Sequence, residues 1–188
     1  EEFTRINEDR ARYRFILGQM YQEAGIRDSA FYYYDGVIDM NRKADRKYMM
    51  HAYAKKAQMF DYKNGDQDLF LEMYNKLVAD RENRPYLDVL FYEMGVFFDK
   101  NDEQQDALVF YNKSLGRKSK DPYLIASTYR NIGDMYFNGY GSAKNYAEAL
   151  TWYKKAYESN ASEQKQRAKE SLGKCYYEIA KEKYLKKD

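Results

Sequence analysis

The amino-acid sequence predicts an all-α fold, a solenoid of about nine helices in which four helix pairs are followed by a terminal helix. Small residues recur at Gly18, Ala57, Gly95, Gly133 and Gly173, with spacings of 39, 38, 38 and 40 residues. Three residues after each stands an aromatic: Tyr21, Phe60, Phe98, Tyr136 and Tyr176. Two prolines and ten glycines in 188 residues are too few turn formers for a many-stranded β architecture, so long helices are favoured. A repeat period of this length sets the whole fold class. The pairs fall near residues 11–43, 47–82, 85–119 and 122–160, with the terminal helix at 162–184, all within one domain spanning 1–188.

The first helix of each pair carries the recurring small residue. Four residues before it stand Tyr53, Phe91 and Tyr129 in the middle copies, while Arg14 and Lys169 hold that slot in the outer two. Offsets of −4, 0 and +3 lie on one helical face. A glycine inside a helix costs about 1 kcal/mol relative to alanine. Four glycines at one slot therefore imply a compensating gain, and close approach of a second helix supplies it. The flanking aromatics then fill the space above and below, each contributing ~1.5–3 kcal/mol on burial.

The second helices show their own period: Ala30, Tyr34 and Val37; Phe70, Tyr74 and Leu77; Ala107, Tyr111 and Ser114; Ala149, Tyr153 and Ala156. Offsets of 0, +4 and +7 mark an amphipathic face. The turns between helices fall at Gly25 to Asp28, Asn64-Gly65-Asp66, Asn101-Asp102, and a longer stretch from Asn138 through Gly139 and Gly141 to Asn145. Asp102 with Gln105 and Asn145 with Glu148 have the spacing of capping boxes. Asp121-Pro122 predicts an N-cap followed by proline at the first helical position, and Pro85 is expected to open a helix in the same way.

A pair cannot bury its apolar face alone, so neighbours complete the core and stability becomes a nearest-neighbour sum. The charged stretches Glu1 to Arg12 and Lys181 to Asp188 suit polar ends or junctions with further repeats. The basic tail also admits a surface contact, but cations at a helix C-terminus complement its dipole. At 44% apolar and 33% charged, the chain can bury a core. Its 32 basic and 30 acidic residues are interspersed, giving a net charge of +2 and none of the basic striping that a phosphate backbone requires, so no nucleic-acid partner is expected. No apolar run reaches membrane-span length, so no insertion by this segment is expected. The chain begins Glu1-Glu2-Phe3 and is expected to be a segment of a longer protein.

Leu17-Gly18, Tyr21, Ala30 and Tyr34 resemble the tetratricopeptide repeat signature, as do Phe91, Met94-Gly95, Phe98, Ala107 and Tyr111. The likeness covers about nine-tenths of the chain and implies a right-handed superhelix. The fourth copy, Ile132 to Tyr136 with Gly139-Tyr140-Gly141 and Glu148 to Ala156, is similar to the Sel1-like variant with its lengthened inner turn. The second copy departs from the pattern, with Ala57 for glycine, Phe70 for the small residue and one residue more between its landmarks. Residues 12–41 and 86–115 also resemble the repeat region of the PorW/SprE lipoprotein family of the type IX secretion and gliding machinery of Bacteroidota. That resemblance implies a periplasmic, outer-membrane-associated protein linking secretion components, the lipid-bearing cysteine lying outside this segment; a cytoplasmic location is the alternative.

The repeat family uses the first helices to line a concave groove, which implies a protein or peptide partner held there. The positions that correspond are Phe15, Gln19 and Gln22; Ala54, Gln58 and Asp61; Tyr92, Val96 and Asp99; Arg130, Asp134 and Phe137; and Glu170, Lys174 and Tyr177. Aromatic anchors among polar neighbours suit an extended or helical peptide. The alternative is a solvated face on a structural spacer or self-associating module, a homo-oligomer. Of the run Phe31-Tyr32-Tyr33-Tyr34, a helix cannot bury all four on one face, and Tyr32 is expected to point outward. His51 and Cys175, the one histidine and the one thiol, lie over a hundred residues apart at different stations of the array, so a catalytic dyad is not expected. Phosphate-loop, nucleophile-elbow and zinc-protease motifs are absent from the sequence, and no catalysis, metal or cofactor is expected.

Overall fold

The computed structural model describes residues 2–40, 45–59, 67–159 and 161–185. Those residues form α1 (Glu2–Glu23), α2 (Arg27–Ile38), α3 (Arg46–Ala57), α4 (Gln67–Ala79), a 3-10 helix (Arg81–Tyr86), α5 (Leu87–Lys100), α6 (Gln104–Gly116), α7 (Pro122–Asn138), α8 (Tyr146–Glu158) and α9 (Ser162–Leu185). No strand occurs among the described residues, so the fold is all-α. Phe60, Asp61, the expected turn at Asn64-Gly65-Asp66 and the tail residues Lys186 to Asp188 lie outside them.

The chain divides into two compact units, Glu1–Glu93 and Met94–Asp188, with the division inside α5. In the first unit α1 packs on α2, α2 on α3, and α1 reaches α3, while the 3-10 helix touches α3 and α4. In the second, α6 packs on α7, α7 on α8 and α8 on α9, and α7 reaches α9.

Close helix approach explains the recurring glycines. A Cβ built on Gly18 would sit 2.5 Å from Cε1 of Tyr34, and one on Gly133 would sit 2.6 Å from the Tyr153 ring. One on Gly95 would collide with the Tyr111 ring in the same manner. Each tyrosine is the second-helix residue at the middle of its amphipathic face, and all three are buried together with Ala30, Ala107 and Ala149. Burial pushes the phenols of Tyr34 and Tyr153 well above their ordinary range, so both hydroxyls remain donors. Tyr34 donates to Oε1 of Gln22 at 2.6 Å, Tyr153 donates to Oδ1 of Asp134 at 2.7 Å, and the Tyr111 hydroxyl accepts from Nδ2 of Asn131 at 3.1 Å.

Gly173 breaks the expected pattern: nothing lies within 4 Å of the Cβ it lacks, and Tyr176, three residues on, is half exposed. No described helix follows α9 to cover that site. Arg14, which replaces the aromatic at its slot, crosses over Gly36 and donates from Nη1 to the Gly36 carbonyl at 3.0 Å.

Two of the expected helix starts hold. Asp121 accepts from the backbone N–H of Tyr123 and Leu124 at 3.0 and 3.3 Å ahead of Pro122. Asn145 accepts from those of Ala147 and Glu148, each at 3.1 Å. Two differ. Asp102 adopts a left-handed backbone, φ 63°, and Glu103 becomes the N-cap residue of α6, because the turn closes through Glu103 N–H to the Phe98 carbonyl at 3.0 Å. Pro85 lies inside the 3-10 helix, whose cap is Asp80, accepting from Glu82 N–H at 2.9 Å. Tyr13, Ile16, Leu17 and Met20 of α1 are exposed.

Candidate functional site

The first helices α1, α3, α5, α7 and α9 carry the groove positions. In the first unit, Phe15 is a core residue and not a groove lining: it is 8% exposed and packs with Ala30, Tyr34, Val37 and Ala52. Its ring lies 6.0 Å from Tyr34 and 5.7 Å from His51, because three residues before Gly18 is where α1, α2 and α3 converge. Ala54 is buried as well. Gln19, Gln22, Gln58 and Tyr92 are half-buried. Gln22 is occupied by the Tyr34 hydroxyl, and Gln58 donates from Nε2 to Oε2 of Glu93 at 3.0 Å.

That carboxylate is the electrostatic centre of the first unit and was not among the sequence candidates. Glu93 is 4% exposed. His51 Nδ1 lies 3.1 Å from its Oε1, and Lys55 Nζ lies 3.1 Å from its Oε2. Burial by itself would raise the Glu93 pKa. The hydrogen bond from His51 and the charge of Lys55 overcome it and bring the carboxyl down to about 2. A second polar cluster surrounds Arg46, which is 6% exposed: its guanidinium donates to Asp80 at 3.0 Å, to Asn83 at 2.6 Å and to Glu82.

In the second unit three first helices bring groove positions together. Arg130 Nη1 donates to Oδ2 of Asp134 at 2.9 Å, one turn along α7, while Oδ1 of the same carboxylate takes the Tyr153 hydroxyl. Burial raises the Asp134 pKa against the opposing pull of that hydroxyl, Arg130 and Lys174. Asp99 on α5 is also raised, by burial and then by the negative charges of Asp134 and Asp102. Asp99, Arg130, Asp134 and Lys174 thus form one electrostatic group spanning α5, α7 and α9. Phe137 is half-buried beside it, its ring 5.2 Å from Tyr146 and 6.5 Å from Tyr153. Val96 is half-buried, Lys174 and Glu170 are exposed, and Tyr177 is 66% exposed.

The group offers hydrogen-bond acceptors and donors of both signs, and Tyr177 stands exposed three residues past Lys174 on α9. Such a set can read the side chains and backbone of a peptide. Cys175 is buried, donates to the Tyr146 carbonyl at 3.2 Å, and burial pushes its thiol up, which disfavours the thiolate. His51 is engaged by Glu93. Tyr32 is 71% exposed, with its ring edge-on to Tyr33 at 5.3 Å. No cluster of three metal-ligating side chains occurs among the described residues, and none of their helices is long and apolar enough to cross a membrane.

The Asp134 group is partly legible in sequence from a shared offset, one residue past Gly133 and Gly173 for Asp134 and Lys174. Glu93 carried no such signal. No family model matches the sequence, and no curated protein matches it significantly.

Proposed function

We propose that this chain is a segment of a right-handed tetratricopeptide-type solenoid that holds a protein or peptide partner on the face formed by its first helices. The observation that carries the reading is the Arg130–Asp134 pair on α7, which lies within electrostatic reach of Asp99 on α5 and Lys174 on α9, with Tyr177 exposed three residues past Lys174. The neighbour and next-but-one contacts of α1 to α3 and of α7 to α9 support the stacked arrangement. A partner held there is anchored by an aromatic contact at Tyr177 and oriented by charged pairs around Asp134. The test is affinity capture by the wild-type chain and by Tyr177→Ala and Lys174→Glu variants, both of which alter exposed side chains. A partner retained equally by all three chains refutes the placement.

The likeness of residues 12–41 and 86–115 to the PorW/SprE repeats supports a partner within the type IX secretion machinery and a periplasmic location. Fractionation of the full-length protein into the cytoplasm refutes that part. A second reading, a self-associating spacer, is favoured by the apolar side chains exposed on α1. Sedimentation that shows a monomer at every concentration removes it.

A further inference from the structure

We infer that the cleft where the C-terminal ends of α6 and α8 flank the first half of α7 is a second binding site, distinct from the groove, and that its occupant is an acidic peptide segment carrying an aliphatic side chain between its carboxylates. The cleft lies wholly within the second unit and has two lobes that share Ser119, Ile125 and Tyr129. An inner lobe of about 220 Å³ is lined by Leu115, Leu124 and Thr128, with Lys118 beside them. An outer lobe of about 450 Å³ is lined by Lys120, Lys155 and Glu158.

The first unit holds the corresponding cleft and supplies its acids from within. There the ends of α2 and α4 flank α3 around a cavity of about 420 Å³. Counted from the small residue of each first helix, Tyr53 and Tyr129 share offset −4, and Met49 and Ile125 share offset −8. Counted along the second helices from Phe70 and Ala149, Lys76 and Lys155 share offset +6. In the first unit that lysine lines its cleft together with Asp39 and Asp80. The residues at the same repeat positions in the second unit are Gly116, nine past Ala107 as Asp39 is nine past Ala30, and Ser159, ten past Ala149 as Asp80 is ten past Phe70. The lysine is kept while both acids are replaced by residues without charge.

Lys118, Lys120 and Lys155 therefore face a single acid, Glu158, along the second cleft. None of the ion pairs among the described residues uses any of the three lysines. Lys155 rests on aromatic rings instead, its Nζ 3.9 Å from the centroid of Trp152 and 5.9 Å from that of Tyr129. Asp121, which follows Lys120, has its carboxylate committed to the N–H groups of Tyr123 and Leu124. The carboxylates that the first cleft contains are thus left for a partner to bring to the second. The lining cations are lysines, point charges without the bidentate fork that arginine offers a phosphate, which favours carboxylates on a flexible peptide. Leu115, Leu124 and Ile125 give that peptide an apolar seat for one aliphatic side chain.

The test uses the intact chain and a synthetic peptide with glutamates on both sides of one leucine in a glycine-serine background. Trp152 is the one tryptophan of the chain, so its emission reports on Lys155, and amide chemical shifts locate the contact. Saturable binding with shifts centred on residues 115–129 and 152–159, weakened about fivefold or more by Lys155→Glu, by Lys120→Glu and by glutamine in place of the peptide's glutamates, supports the proposal. Both substitutions fall on exposed side chains, and unchanged circular dichroism confirms folding. Lys76→Glu and Tyr177→Ala must leave peptide binding unaltered, which separates this site from the first unit's cleft and from the groove. No binding at about 1 mM peptide, equal binding of the glutamine peptide, shifts centred elsewhere, or inorganic phosphate bound more tightly than the peptide each overturns it.

Discussion

Adding one methyl group at two equivalent positions should have opposite effects. At Gly133 a Cβ would lie 2.6 Å from the Tyr153 ring, far inside van der Waals contact. The ring cannot retreat freely, because its hydroxyl is held by Asp134 at 2.7 Å and its face is packed among Ala149, Cys175, Leu172 and Phe137. Forcing an extra methyl into such a site costs ~1–3 kcal/mol. Loss or stretching of the hydroxyl bond to a charged acceptor adds ~1.5 kcal/mol. Against this stands the helix-propensity gain of about 1 kcal/mol for glycine to alanine. Gly133→Ala should therefore destabilise by roughly 2 kcal/mol. At Gly173 nothing lies within 4 Å of the added atom, so only the propensity gain remains and Gly173→Ala should stabilise by up to about 1 kcal/mol. Urea denaturation followed by far-ultraviolet circular dichroism measures both. Two variants shifting in the same direction by similar amounts would refute the reasoning, because the seat of the tyrosine ring would then not be what distinguishes the two sites.

Other perturbations follow from the buried polar groups. The folded pKa of Glu93 lies below its unfolded value, so its stabilisation is present above about pH 4.5 and is lost as pH falls toward 2. A depression of that size corresponds to roughly 3 kcal/mol, so the urea midpoint should fall steeply over that window. In Glu93→Gln, which should be less stable at neutral pH, the fall over the same window should be shallower, with the lowered carboxyl of Asp80 still contributing. Tyr153→Phe removes a hydrogen bond to the ionised form of Asp134, so the Asp134 pKa, already raised by burial, should rise further when followed by carboxyl-carbon NMR. Arg46→Met strips the buried Asn83 of its guanidinium partner and severs α3 from the 3-10 helix. Asp80 and Glu82 are exposed enough to be solvated, so a loss of ~1–3 kcal/mol, that of a buried amide oxygen left without its donor, is expected in thermal or urea unfolding.

The parts of this fold that could be read from sequence are those written at one repeat spacing. Gly18, Gly95 and Gly133 each announce a tyrosine ring from their own second helix, 16 to 20 residues on. The caps at Asp121 and Asn145 are equally local, since an N-cap is decided within three residues. Asp102 failed as a cap because competition within its turn was settled by backbone bonds to Asp99 and Phe98, which residue type does not encode. Pro85 failed because Asp80 caps a tighter helix just upstream, and Asp80 is itself held by Arg46 from 34 residues away. Glu93 was invisible for the same reason: its partners His51, Lys55 and Gln58 lie 35 to 42 residues earlier, and no pattern on α5 alone calls for a buried acid there. Phe15 was misplaced by the family offset because α3 crosses α1 at that level.

The three seated tyrosines share one steric socket but not one polar contact. Tyr34 gives its proton to an amide four residues past its glycine, Tyr153 to a carboxylate one residue past, and Tyr111 receives one from an asparagine on the helix that follows. Chains made of near-identical units risk joining the wrong neighbours while they fold. A tyrosine helix that strayed into another unit's socket would fit by shape and would also find a group for its hydroxyl, because Gln22 and Asp134 lie on the socket's own first helix. The sockets therefore do not tell one tyrosine from another, and order along the chain falls to the short turns that tie each tyrosine helix to its own first helix.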